Sequence, residues 1–202
     1  MFILNYGNLI DPLLKDLRRF TVEFSGLKAG DSVVDICCGT GAQVLEFAQH
    51  GVIATGIDNS ESMLEIAARN EIKKKTANVT FHKADATDLP FPDDYFDNAT
   101  ISFGLHDKEG PVRLQVVSEM VRTVRRGGIL VLMDFQVPLP RNKWAILAGT
   151  LERVVGGSHY RGFKDYVSSG GLRSIVDNYS LKEVNTAYPL GGLLFAVKIV
   201  NR

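Results

Sequence analysis

The chain has 202 residues, 45% of them hydrophobic and 23% charged, a composition that supports a globular domain with a substantial core. Lysine plus arginine balances aspartate plus glutamate at 23 each, which excludes a global field for nucleic acid or an anionic membrane. The two cysteines, Cys37 and Cys38, are neighbours, which excludes a disulfide scaffold and offers no Cys/His spacing for a metal.

Ile10, Leu13, Leu14, Leu17, Phe20 and Phe24 recur at helical spacing, with Pro12 in the first turn, and predict an amphipathic helix that ends at Gly26. Residues 32–37 form a short apolar run between glycines and read as a buried strand. A glycine-rich turn then opens a helix that finishes near His50-Gly51. The alternation repeats with a strand at 52–57, a helix at 60–70 followed by the triplet Lys73-Lys74-Lys75, which reads as a solvated helix end, a strand at 79–82 and a loop at 85–92. Residues 96–103 are strand-like, 111–126 helical with Gly127-Gly128 as its cap, and 129–135 a fifth strand. Pro138 and Pro140 break the pattern. A helical stripe of Trp144, Leu147, Leu151, Val154 and Val155 follows, then a loop at 156–162, short helical pieces, and two strand-like runs at 181–188 and 193–200 joined around Gly191-Gly192. Strands alternating with helices imply right-handed crossovers and a parallel sheet. The expected fold is an α/β, Rossmann-like seven-stranded sheet, mostly parallel, with helices on both faces and a C-terminal antiparallel hairpin. One domain spans 1–202, with a helical cap at 1–27 and a helical lid at 141–179 inserted between strands five and six. No apolar run reaches the roughly 18 residues of a membrane span, and the start lacks a signal peptide's charged head and apolar stretch, so a cytoplasmic protein is expected.

The chemistry concentrates at the ends of the strands. Gly39 and Gly41 follow strand one, where open α/β sheets bind ligands and a missing Cβ lets the backbone touch them. Strand two ends about twenty residues later on Asp58, the position at which an acidic side chain accepts from ribose hydroxyls. A dinucleotide fingerprint would carry a third glycine where this chain has Val44. S-adenosylmethionine (SAM) has a ribose and no phosphate, so the pattern favours SAM over a nicotinamide cofactor.

The string Val34-Asp35-Ile36-Cys37-Cys38-Gly39-Thr40-Gly41 resembles motif I of class I SAM-dependent methyltransferases. Residues 56–64 look like their ribose motif, and 84–93 like their adenine loop. Phe96-Asp97 and Arg125-Arg126-Gly127-Gly128 look like the openings of their fourth and fifth strands. The resemblance runs in order from about Lys28 onward, and its nearest flavour is the ubiquinone/menaquinone-biosynthesis group and similar small-molecule enzymes. One departure is Cys37, where the family usually has its first glycine.

The resemblance implies a role for each matching position. Asp35 would reach the methionine amino group, with Cys37, Gly39 and Gly41 along the methionine and ribose. Asp58 would hold the ribose hydroxyls with Asn59 and Met63 nearby. Asp85 would accept from the adenine amino group, the Ala86 N–H would meet the ring, and Ser102 would lie under the sulfonium. Tyr6 would fold over the cofactor. S-adenosylhomocysteine would be the product.

On the acceptor side, His106 follows strand four where the acceptor approaches the methyl, and is the candidate general base or positioning group. His159 and Tyr160, in the late loop, are further catalytic candidates. The acceptor would be a small molecule, a quinone or other phenol type. Phospholipid or amine N-methylation stays open, because Lys15, Arg18 and Arg19 lie beside a leucine stripe suited to peripheral membrane contact. A non-catalytic SAM-binding regulator and an NAD-dependent oxidoreductase are the alternatives of other classes. No metal and no nucleic-acid partner is expected, and the sequence does not set the oligomeric state.

Overall fold

The computed structural model describes residues 14–179 and 181–202; Tyr6 and the start of the expected first helix lie outside them. In chain order the elements are α1 (Lys15–Ser25), β1 (Ser32–Ile36), α2 (Ala42–Gln49), β2 (Ile53–Asp58), α3 (Glu61–Lys74), β3 (Val79–Lys83), β4 (Phe96–Ser102), α4 (Gly110–Thr123), β5 (Val124–Phe135), α5 (Lys143–Val155), α6 (Gly157–Ser168), α7 (Gly171–Asn178), β6 (Lys182–Ala187), the short α8 (Pro189–Gly192) and β7 (Leu194–Val200).

The seven strands form one sheet in the order β3-β2-β1-β4-β5-β7-β6. From β3 to β5 every pairing is parallel, whereas β7 runs antiparallel to both β5 and β6. The central strands are rich in apolar residues because both of their faces are covered: Val33, Val34, Ile36, Ala99, Ile101, Leu130 and Leu132 are fully buried. One buried cluster gathers Val44 and Phe47 of α2 with Val33 and Ala54 of the sheet. The other gathers Val116 and Met120 of α4 with Phe163, Tyr166 and Leu172 of α6 and α7. The chain winds outward from β1 to β3 and then crosses back to lay β4 on the other side of β1. That reversal opens a crevice beyond the carboxyl ends of β1 and β4.

Two expectations need correction. Residues 156–162 do not form a loop, because only Gly156 breaks the chain between α5 and α6, and α6 runs from Gly157. Phe163 and Tyr166 bury themselves against the core from this helix, and that tertiary contact overrides the poor helix propensity of its glycines. The helix expected to reach residue 126 ends at Thr123, and β5 begins at Val124. Arg125 is drawn to the sheet by an Nε–Asp97 Oδ1 bond of 2.7 Å, and Gly128 lies where any Cβ would strike the Asp97 carbonyl.

The helices between β5 and β6 are pinned to the loop after β4. Arg113 of α4 is buried and donates to the carbonyls of Leu105 at 3.1 Å and Gly162 at 3.0 Å, and it pairs with Asp165 at 2.9 Å. The Tyr166 hydroxyl donates to the Phe135 carbonyl at 2.9 Å and accepts from the Leu172 N–H at 3.0 Å. These bonds satisfy buried polar groups on three elements at once, which fixes where the insertion sits.

Candidate active site

After β1 the backbone turns through Cys37 (φ 59°), Gly39 (φ 52°) and Gly41 (φ 72°), so every second residue is left-handed. Such a turn favours glycine, and Cys37 accepts the conformation at some cost in strain. Asp58, at the end of β2, anchors the turn by accepting the Gly39 N–H at 2.8 Å, and its second oxygen accepts the Ser60 N–H at 2.9 Å. Ser60 in turn caps α3 through the Met63 N–H. Around this carboxylate lies a cleft of about 570 Å³ lined by Cys37, Gly39, Asp58, Asn59, Met63, Asp85 and Ala86. Seven of the expected cofactor residues therefore converge on one cavity. Asp85 is exposed, and hydrogen bonds from the Thr87 N–H and hydroxyl hold its carboxyl below the usual range. Gly41 lies outside the lining; it starts α2 and is closed in by Phe81.

A smaller hollow of about 190 Å³ lies on the other side of the glycine turn, lined by Asp35, Cys37, Gly39, Gln43, Ser102 and Met133 among others. Asp35 is buried, and this desolvation pushes its pKa up to about 7 even though the Thr100 hydroxyl donates to it at 2.6 Å. The Ser102 hydroxyl is buried with no hydrogen-bond partner, an unsatisfied group facing this hollow. Burial pushes the Cys37 thiol up to about 11 and Cys38 well above its ordinary value, so neither is an activated nucleophile.

A third cavity, of about 480 Å³, is mostly apolar: Leu14, Phe103, Phe135, Ala148, Leu151 and Val155 line it, with His106, Glu152 and His159 as its polar side. Phe103 lines all three cavities. It stands at φ 60° just past β4, and its N–H donates to the Met133 carbonyl at 3.0 Å. The loop that follows is organised by Asp134. One oxygen of this buried carboxylate accepts the N–H groups of Leu105 and His106, each at 3.1 Å. The other lies 2.8 Å from His106 Nδ1 and accepts the Phe135 N–H at 2.8 Å. Burial would raise the Asp134 pKa, but His106 and these donors outweigh it and hold it low. For His106 burial works downward, and the Asp134 charge and hydrogen bond more than offset it. An ionised carboxylate only accepts, so Nδ1 carries the hydrogen and Nε2 is left facing Glu152 Oε1 at 3.7 Å. His159 comes to the same place from α6: its Nε2 is 2.6 Å from Glu152 Oε2, and its ring meets that of His106 edge to face at 5.5 Å between centroids.

His106 and His159, distant in sequence, are thus brought together. Tyr160 is not: its hydroxyl accepts from Arg153 at 3.3 Å, outside the cavity lining. Sequence reasoning passed over Asp134, Glu152 and Phe103. Asp134 was visible as the one charge near the end of the apolar run 129–135, and Glu152 as a carboxylate on the buried face of α5, one turn beyond Ala148.

The seven-stranded sheet with its reversed β7 is a fold shared with solved SAM-dependent methyltransferases. Residues 33–128 match the family model described as "Methyltransferase domain". The ubiquinone/menaquinone biosynthesis C-methyltransferase of Pseudomonas putida is 38% identical over 126 residues, 60% of this chain and 48% of that protein. The demethylmenaquinone methyltransferase of Paenarthrobacter aurescens is 38% identical over 128 residues, 62% of this chain and 48% of that protein. The chain therefore spans about half the length of the curated relatives it matches. Among solved structures, a SAM-dependent methyltransferase from Aquifex aeolicus superposes with a TM-score of 0.74 at 20% identity, covering 98% of this chain and 97% of that one.

Proposed function

We propose that the chain transfers the methyl group of SAM to carbon of a quinone-type phenol. The observation that carries this reading is the arrangement of the cavities: Phe103 borders both the polar cleft around Asp58 and the apolar cavity that ends at His106. In this reading Asp58 holds the ribose hydroxyls, Asp85 and the Ala86 N–H meet the adenine, and Met63 and Asn59 flank it. Asp35 faces the ammonium group and the Ser102 hydroxyl lies beneath the sulfonium. The likeness to quinone C-methyltransferases supports a flat apolar acceptor, and the aromatic and aliphatic lining suits one. The sulfonium is already activated, so the protein's task is to align the acceptor carbon behind the methyl and keep water out. His106, oriented by Asp134, takes or positions the acceptor hydroxyl, which makes the ortho carbon nucleophilic, and His159 assists from α6. The segment 141–179 acts as the lid that shapes this cavity.

The test is transfer of labelled methyl from SAM into fractionated extract and into a purified demethylated naphthoquinol. Label in the quinol is expected. Saturable SAM binding with label only in a polar lipid or an amine would refute the acceptor assignment, and SAM binding with no transfer at all would favour a regulatory protein.

A further inference from the structure

The polar end of the apolar cavity holds three side chains whose chemistry goes beyond a hydroxyl-positioning pair. His106, Glu152 and His159 present nitrogen and oxygen atoms that all lie within 4.8 Å of one another. We propose that they bind one divalent zinc-type ion, with the remaining coordination position open to the cavity. Two imidazoles and one carboxylate are a donor set that holds zinc in a catalytic site and leaves a fourth position for an outside oxygen. Zinc bonds of about 2.0–2.1 Å in a tetrahedron put donor atoms roughly 3.3 Å apart. His106 Nε2 and Glu152 Oε1 already stand at 3.7 Å.

Two independent features support an ion here. The first is the outer shell. His106 Nδ1 is held by Asp134 at 2.8 Å, and His159 Nδ1 faces Asp107 at 3.6 Å. Each ring thus has a carboxylate behind it and turns Nε2 toward Glu152, the arrangement that orients metal-ligating histidines and raises their basicity. The second is Glu152 itself. It is 6% exposed, and its Oε2 has no hydrogen-bond partner although His159 Nε2 stands 2.6 Å away. The approach is close but not aligned as a hydrogen bond. A buried carboxylate in that condition is costly unless a cation meets it. The role of the ion toward the acceptor rests on the function proposed above, but its binding does not: with the ion in place His106 positions the acceptor through it rather than as a base, the open position taking the acceptor's hydroxyl oxygen as phenolate and the proton passing to solvent.

The test uses untagged, chelator-stripped protein titrated with Zn²⁺ by calorimetry and with Co²⁺ by visible absorption. One ion per chain is expected, with the intense Co²⁺ bands of a four-coordinate site. Glu152→Gln and His159→Ala should each weaken Zn²⁺ binding at least tenfold, and Asp134→Asn by about 10- to 100-fold. His159 is half-buried, so its removal leaves the core in place, and circular dichroism with S-adenosylhomocysteine binding checks that each variant is folded. No saturable one-to-one binding by the parent protein, or equal Zn²⁺ affinity in the Glu152→Gln and His159→Ala proteins, would overturn the site. Failure of S-adenosylhomocysteine binding in a chain that still takes one ion would overturn the cofactor reading and leave the metal site standing.

Discussion

Both carboxylate oxygens of Asp58 already accept a backbone N–H, from Gly39 and from Ser60, so this side chain shapes the glycine turn as well as facing the cleft. Asp58→Ala is therefore expected to weaken SAM by about 2–4 kcal/mol, since hydrogen bonds to a charged acceptor are worth roughly 1.5–3 kcal/mol each. Calorimetry checks it, and unchanged affinity would remove Asp58 from the cofactor site. Asp35 makes a prediction about pH. Its pKa in the fold, about 7, is above the ordinary carboxylate value, so the folded state binds a proton that the unfolded chain releases. Its contribution to stability is complete at acid pH and is lost as pH rises from about 4 through about 7. Asp35→Asn should thus gain stability relative to the parent protein as pH rises from 5 to 8, measured by denaturant unfolding without cofactor. SAM should behave in the opposite sense: its ammonium group favours the carboxylate, so affinity should tighten through pH 7 in the parent and stay flat in Asp35→Asn. Parallel unfolding curves at every pH would show that Asp35 is not the group titrating. Asp35, Asp58 and the glycines were legible in the sequence because the turn and the strand ends that form this site are short contiguous strings. Asp134 and Glu152 were not, nor was the meeting of His159 with His106, because it depends on where separate elements dock.

At the scale of elements, the decisive contact is between α6 and the loop after β4. Gly162 lies against the backbone of Asp107, and an added Cβ would overlap the Asp107 carbonyl. Gly162→Ala should force the two apart and destabilise the fold by about 1–3 kcal/mol, as overpacking generally does. Because His106 follows β4 and His159 rides on α6, the same change should separate the two histidines. Thermal unfolding reads the first effect, and faster hydrogen exchange across α5 and α6 reads the second; an unshifted midpoint with unchanged exchange would mean the contact is not constraining. The sequence misread this stretch as a loop for a physical reason. Glycines at 156, 157 and 162 are poor helix formers, and only the burial of Phe163 and Tyr166 repays that deficit.

For the whole molecule, the cofactor should act as a fold-stabilising ligand. The cleft and the hollow share Cys37, Gly39 and Phe103, and they draw on residues at the ends of β1, β2 and β4, so a ligand filling both ties those strands together. S-adenosylhomocysteine at 100 times its Kd should add about 2.7 kcal/mol of stability. NAD should add none, since fully buried Val44 stands where a dinucleotide site carries its third glycine. Differential scanning calorimetry with each ligand distinguishes them, and a shift with NAD equal to that with S-adenosylhomocysteine would refute the cofactor assignment. No helix among the described residues is long and apolar enough to cross a membrane.

The alternation of apolar runs with amphipathic stretches sufficed for the strand count, the parallel sheet and the antiparallel close, because local periodicity and chain connectivity leave few ways to bury those runs. The glycine turn was determined with them, since a crevice at the switch point is lined by short strings at strand ends. The apolar cavity beside His106 was decided only by tertiary structure. Arg113 and Tyr166 set where α6 lies, α6 delivers His159, α5 delivers Glu152 and β5 delivers Asp134 to His106. Those four side chains share no local pattern, and what joins them is the packing of elements far apart in the chain.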